Sequence, residues 1–153
     1  KNLSDLEAAY YFAMVTAYAQ GMHLLKTASE SFKYNLRLDT IAKIWRGGCI
    51  IRSAFLEKIY SAYSGNPSLG HLFLDKEIGG NLQNALASLR RVVAAAATKG
   101  IAVPALGVAL GYFDNYRNAH MPTNLIQAQR DYFGSHTYER VGEEGTFHHT
   151  QWV

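Results

Sequence analysis

Between Gln127 and Glu139 the chain reads Gln-Ala-Gln-Arg-Asp-Tyr-Phe-Gly-Ser-His-Thr-Tyr-Glu. This places a guanidinium, Arg130, and an imidazole, His136, on either side of a helix end marked by Gly134. Arginine presents a planar fork of donors that matches phosphate oxygens, and a histidine adds a further donor, positive when protonated. Together they suit a phosphomonoester better than a neutral ligand. Arginine keeps its charge at all relevant pH values whereas histidine is only partly protonated near neutrality, so Arg130 is the firmer candidate. From spacing alone, ion pairing of Arg130 with Asp131 or Glu139 explains the same residues equally well.

Other residue types capable of chemistry read as structural. Neither G-x-G-x-x-G nor G-x-x-x-x-G-K-[ST] occurs, so no loop is built to cradle a dinucleotide or nucleoside phosphate. Gly107 and Gly111 form a G-x-x-x-G that reads as close helix packing. The six histidines, His23, His71, His120, His136, His148 and His149, include no H-E-x-x-H and no zinc-finger spacing, and no metal site is expected. In an extended segment His148 and His149 point to opposite sides, which leaves them as solvated or hydrogen-bonded tail residues. Cys49, between Gly48 and an apolar run, reads as a small packed thiol and not a nucleophile. Arg90 and Arg91 read as a solvated helix face, and Arg46 and Arg52 as carbonyl caps or carboxylate partners around Gly47-Gly48.

The elements that must position the Arg130 and His136 pair are helical throughout. Ser4 and Glu7 stand in capping-box spacing, and Leu6, Ala9, Tyr10, Ala13, Met14, Ala17, Tyr18, Leu24, Leu25 and Ala28 recur near helical intervals. This predicts one long central helix over 4–32. Asp39 is expected to cap a short helix carrying Ile41, Ile44 and Trp45, stopped by Gly47-Gly48. A helix over 50–64 follows, with Ile51, Ala54, Phe55, Ile59 and Ala62 on one stripe, ended by Gly65-Asn66-Pro67. The next is expected over 78–99, with Gly100 as a left-handed cap. Pro104 opens a helix over 105–120 with Leu106, Ala109, Leu110 and Phe113 on one side, and Pro122 ends it. Thr123 caps a last helix through Phe133. Residues 135–153 form a tail whose Tyr138, Phe147 and Trp152 need a surface to lie against, its own or another subunit's. No alternating β-branched run argues for a sheet, so the expected fold is all-α.

The chain has 153 residues, 48% hydrophobic and 18% charged, the composition of one water-soluble domain with a single core. A net charge of +3 is too small to predict a nucleic-acid partner. The least charged stretch, Val92 to Gly111, is broken by Thr98, Lys99 and Pro104, and no transmembrane segment is expected. A lone cysteine excludes an internal disulfide and fits the reducing cytoplasm. The sequence opens at Lys1 without a signal-peptide pattern, which reads as a fragment.

The segment Leu125 to Gly134, followed by His136-Thr-Tyr-Glu139, resembles the C-terminal signature of decarboxylating 6-phosphogluconate dehydrogenases. The resemblance extends to Tyr18-Ala-Gln-Gly21, to Ile44-Trp-Arg-Gly-Gly-Cys-Ile-Ile-Arg-Ser53, to Asn66-Pro67 and to Phe147-His148 with Trp152. It therefore covers essentially the whole chain. It implies a multi-helix C-terminal domain over 1–134 with an extended tail over 135–153. It also implies an oxidative decarboxylation in the pentose phosphate pathway, in which 6-phosphogluconate and NADP give ribulose 5-phosphate, carbon dioxide and NADPH. In the family an N-terminal Rossmann domain binds NADP, and an upstream lysine and glutamate act as acid and base; these segments have no counterpart here. The isolated chain is accordingly expected to hold no cofactor and no catalytic residue and to be inactive alone.

What the resemblance carries onto this sequence is a homodimer in which the tail crosses to the partner. Arg130 and His136 then match the family's arginine and histidine that bind the substrate phosphate in trans. One local departure is His148-His149 before Thr150 and Trp152, where many relatives have a single histidine. The competing expectation is a freestanding helical oligomerisation or scaffold module without a catalytic contribution.

Overall fold

The computed structural model describes residues 2–152. Among them are six α-helices: α1 (Asn2–Phe32), α2 (Leu38–Trp45), α3 (Phe55–Gly65), α4 (Lys76–Thr98), α5 (Pro104–Tyr116) and α6 (Asn124–Gly134). A single 3-10 turn, Leu72–Leu74, precedes α4, and the one β feature among the described residues is an isolated antiparallel bridge between Tyr138 and His148. The all-α expectation holds. No helix of the described residues is long and apolar enough to cross a membrane.

Up to Phe113 the chain forms one compact unit, and from Asp114 onward a second. The first is built on α1 against α4, with α2 against α3. The buried side of α4 is a regular stripe, Ile78, Leu82, Ala85, Leu89 and Ala96, at the three- and four-residue steps that keep one helix face inward. Asp75 starts this helix, its Oδ1 accepting the backbone N–H groups of Glu77 and Ile78. Gly79 is needed beside it, because a Cβ there would stand 2.7 Å from the Phe73 carbonyl oxygen. At the other end Gly100 adopts φ +68°, its N–H bonding to Ala97 O while Ile101 N–H reaches Ala96 O. That pair of bonds is the Schellman closure anticipated from the glycine.

Several expected details are corrected. The buried face of α1 is Ala9, Phe12, Val15, Thr16, Ala19 and Met22, whereas Leu6, Tyr10 and Leu24 are exposed. Small and aromatic residues surround this helix on all sides, so periodicity alone did not single out the inward face. Ser4 lies inside α1, not at its cap. Asp39 sits in the first turn of α2 and bonds Arg37 instead of capping. The stretch 50–54 is not helical. Arg52 N–H closes a turn on Cys49 O, Ser53 Oγ accepts Phe55 N–H, and Tyr18 Oη donates to the Ile51 carbonyl, so α3 begins only at Phe55. Helix α5 stops at Tyr116, not near His120, because the Asn118 side-chain amide takes the Asp114 carbonyl while its own N–H turns to Asn115 O.

Arg91, read as part of a solvated helix face, has defined partners, and Arg46 takes the carboxylate partner that was one of its two readings. Arg91 grips Asp5 through Nε and Nη2, at 3.1 and 2.6 Å, and Ser88 Oγ donates to the same carboxylate at 2.8 Å. Arg46 pairs with Glu57 and lies over the Tyr60 ring.

Candidate functional site

The second unit has no apolar interior. From Asp114 onward Asp131 is the one buried residue among those described, while Leu125, Ile126, Tyr132, Phe133, Val141 and Phe147 are largely exposed. A buried carboxylate is costly unless donors replace its water, and here each oxygen has two. Thr137 N–H donates to Oδ1 at 3.1 Å and His149 Nδ1 lies 2.9 Å from the same atom. Thr150 N–H and the Trp152 indole N–H donate to Oδ2 at 2.9 and 3.0 Å. An ionised carboxylate only accepts, so Nδ1 of His149 must carry its proton. Burial by itself would push the Asp131 carboxyl up; the donors from His149, Thr150 and Trp152 outweigh it and hold the group down at about 2.

Residues 135–152 double back on themselves around this point. Tyr138 and His148 exchange backbone hydrogen bonds at 2.9 and 2.8 Å, and the Tyr138 and Thr150 hydroxyls meet at 2.8 Å. His148 Nε2 sits 2.7 Å from Glu143 Oε2, and the Trp152 ring packs edge-on against Tyr132. His148 and His149 are thus both hydrogen-bonded, as the plainer reading had them.

Arg130 and His136 flank this core. Arg130 is exposed on α6, a turn before the helix ends at Gly134, and Nη1 reaches the neutral Gln127 Oε1 at 3.3 Å. Among the described residues it makes no ion pair, so pairing with Asp131 or Glu139 is not what holds it. Gln127 in turn donates through Nε2 to the Thr137 carbonyl. The Thr137 peptide is therefore held on both sides by α6: its N–H by Asp131 and its C=O by Gln127. His136 immediately precedes it, exposed, with its ring edge-on to Phe133. The ring also occupies the space above Gly134, where a Cβ would stand 2.6 Å from its Cδ2 and Nε2. Gly134 matters here for the room it leaves; the left-handed residue that closes α6 is Ser135, φ +48°. The arrangement offers a guanidinium fork and an imidazole, both without a carboxylate partner among the described residues, on a hydrogen-bonded support.

Sequence reasoning weighed Asp131 only as a partner for Arg130 and missed Gln127 altogether. Their i, i+4 spacing, which puts them on one helix face, is the signal that was available. Elsewhere, His71 is buried and neutral: its Nδ1 accepts Phe73 N–H, Nε2 lies 2.9 Å from Tyr112 Oη, and burial, with a smaller contribution from His23, lowers it to about 4. Cys49 is half-buried and in no disulfide. No group of three or more potential metal ligands occurs among the described residues.

Acid gives a direct check on the clamp. The Asp131 carboxyl lies at about 2 against an ordinary 3.8, so its contribution to tail order is complete above about pH 4 and is lost as the pH falls from there through 2. The Trp152 indole N–H resonance is expected to keep its position down to about pH 4 and to move to that of an exposed tryptophan near pH 2. A transition complete before the pH reaches 4 would contradict this assignment.

A family model described as 6-phosphogluconate dehydrogenase, C-terminal domain, matches residues 1–152. The decarboxylating 6-phosphogluconate dehydrogenase of Drosophila melanogaster is 50% identical over 153 residues, 100% of this chain and 32% of its own length. The NADP(+)-dependent, decarboxylating 6-phosphogluconate dehydrogenase of Bacillus subtilis (strain 168) is 48% identical over 151 residues, 99% of this chain and 32% of its own. Among solved structures, the Plasmodium falciparum 6-phosphogluconate dehydrogenase, described in its apo form and in complex with its cofactor NADP+ and its substrate 6-phosphogluconate, superposes with a TM-score of 0.90. It is 48% identical and covers 97% of this chain and 32% of the other. This chain therefore spans about a third of the length of the curated relatives it matches.

Proposed function

The chain belongs to the 6-phosphogluconate dehydrogenase C-terminal domain family, and from that premise we propose that it is the dimer-forming, substrate-holding part of a decarboxylating dehydrogenase. The complete protein converts 6-phosphogluconate and NADP to ribulose 5-phosphate, carbon dioxide and NADPH. In it, residues 1–134 serve as the helical body and 135–153 as the tail that reaches a partner subunit. Arg130 and His136 bind the substrate phosphate in that partner's active site. The observation that carries this reading is the Arg130 guanidinium: exposed, unspent on any carboxylate among the described residues, and resting on a neutral amide. A charged fork in that state is available to an anion.

The exposed Leu125, Tyr132, Phe133 and Phe147 support contact with a second subunit, since a unit whose one buried residue among those described is a carboxylate leaves its apolar surface uncovered. Without a glycine-rich phosphate loop the residues of this chain do not fit the pyrophosphate of NADP, and no part of hydride transfer is assigned to them. The lone Cys49 supports a reducing compartment such as the cytoplasm.

Light scattering and turnover on the complete protein test this. The expected result is a dimer that oxidises 6-phosphogluconate with NADP+, and removal of 135–153 lowers turnover by roughly a hundredfold through loss of substrate positioning. Full turnover after the truncation, or an intact gene that encodes no cofactor-binding region, would favour the scaffold module instead.

A further inference from the structure

We propose that Asp131 is a positioning residue for the phosphate site: its buried carboxylate ties the peptide after His136, and the end of the tail, to the helix that carries Arg130. The proposal rests on the reading of Arg130 and His136 as phosphate ligands and adds the group that holds them in one frame.

Three observations lead to it. Thr137, next to His136, stands at φ +57°, a left-handed conformation that a β-branched residue rarely adopts and that persists only where its surroundings fix it. The fixing groups are Asp131, which accepts its N–H at 3.1 Å, and Gln127, which donates to its C=O. Gln127 also accepts from Arg130, so the two candidate phosphate ligands share a support. Finally, the second carboxylate oxygen gathers Thr150 N–H and the Trp152 indole N–H, from residues 19 and 21 positions further on, and closes the tail over the same point.

The chemistry requires a carboxylate. Four donors converge on two oxygens, and an amide of the same shape would turn an NH2 group toward two of them. Asparagine therefore releases either the Thr137 N–H, with His149 free to change tautomer and accept from the amide, or the Thr150 and Trp152 side, with little change in volume. Arg130 and His136 remain present but are no longer held for the ligand, and a site that must order itself on binding binds more weakly.

The experiment uses the complete enzyme and compares Asp131→Asn with Arg130→Ala, His136→Ala and the double variant Asp131→Asn/His136→Ala. Asp131→Asn is expected to raise KM for 6-phosphogluconate by about tenfold with kcat held within about twofold, and to weaken competitive inhibition by inorganic phosphate by the same factor. Proton exchange at the Trp152 indole should accelerate in parallel. In the double variant the loss should fall short of the product of the single losses, as it must if Asp131 acts through His136. Trp152→Phe removes one donor and keeps the carboxylate, and it carries the test should Asp131→Asn fail to fold; a KM rise of about threefold is expected.

If Arg130→Ala and His136→Ala raise KM while Asp131→Asn or Trp152→Phe leaves it unchanged, the positioning role is overturned and the phosphate reading stands. Multiplying losses in the double variant, or a fall in kcat at constant KM, overturns it too. If Arg130→Ala and His136→Ala also leave KM unchanged, the phosphate reading itself fails and the proposal falls with it.

Discussion

Replacing Arg130 with alanine in the complete protein is expected to raise KM for 6-phosphogluconate roughly 10- to 150-fold, the equivalent of about 1.5–3 kcal/mol for a charge-assisted contact. The fold has little stake in this side chain. It is exposed, and its contact with Gln127 Oε1 is long, at 3.3 Å, so thermal stability should remain within about 0.5 kcal/mol of the parent. Lysine at the same position keeps the charge and loses the planar fork, and it should recover only part of the affinity. His136→Ala acts in the same direction with a smaller effect, because a histidine contributes a full charge only when protonated. Steady-state kinetics with 6-phosphogluconate varied at saturating NADP+ decides the matter, and an unchanged KM for Arg130→Ala would end the phosphate assignment.

The largest effect on stability is expected at Phe12. Its side chain is wholly buried on the inner face of α1 and meets the Phe113 ring edge-to-face, with centroids 5.1 Å apart. Alanine there leaves a ring-sized cavity in a core that can close only in part, at a cost of about 3–5 kcal/mol. A fall in Tm on the order of 15 °C follows for a unit of this size. Tyr10, two residues earlier and 67% exposed, provides the contrast: Tyr10→Ala should stay within about 0.5 kcal/mol on the isolated chain. Thermal and urea melts followed by circular dichroism separate the two, and a larger loss at Tyr10 than at Phe12 would mean that the inward face of α1 is wrongly assigned.

That contrast also shows what the residues could and could not reveal. Helix α4 was legible because Ile78, Leu82, Ala85 and Leu89 repeat on one side while charged and amide residues fill the other, and Gly100 marks its end. Helix α1 was legible as a helix, but not for its orientation, since Tyr10, Tyr11, Phe12 and Ala13 in succession give every face an apolar candidate. The non-helical start of 50–54 depends on a cross-chain bond from Tyr18 to Ile51 and on Ser53 as a local acceptor, neither of which leaves a periodic trace.

Arg130 and His136 could be nominated as phosphate ligands from chemical type and from resemblance. The role of Asp131 did not, because its donors are one side-chain indole, one imidazole and two backbone N–H groups scattered over 137–152. Backbone donors are common to all residues but proline and carry no mark in a sequence.

The bonds from Ser88 and Arg91 to Asp5 span 83 and 86 residues, and they join the two helices that make up the main packing layer, α1 ending at Phe32 and α4 beginning only at Lys76. During synthesis α1 emerges first and its partner α4 nearly last in the first unit. At about 5–20 residues per second, the stripe from Ala9 to Met22 stays without its cover for on the order of ten seconds on the ribosome. Nascent α1 is in that interval a helix with apolar residues on every face and without its mate, open to whatever can cover it until α4 arrives.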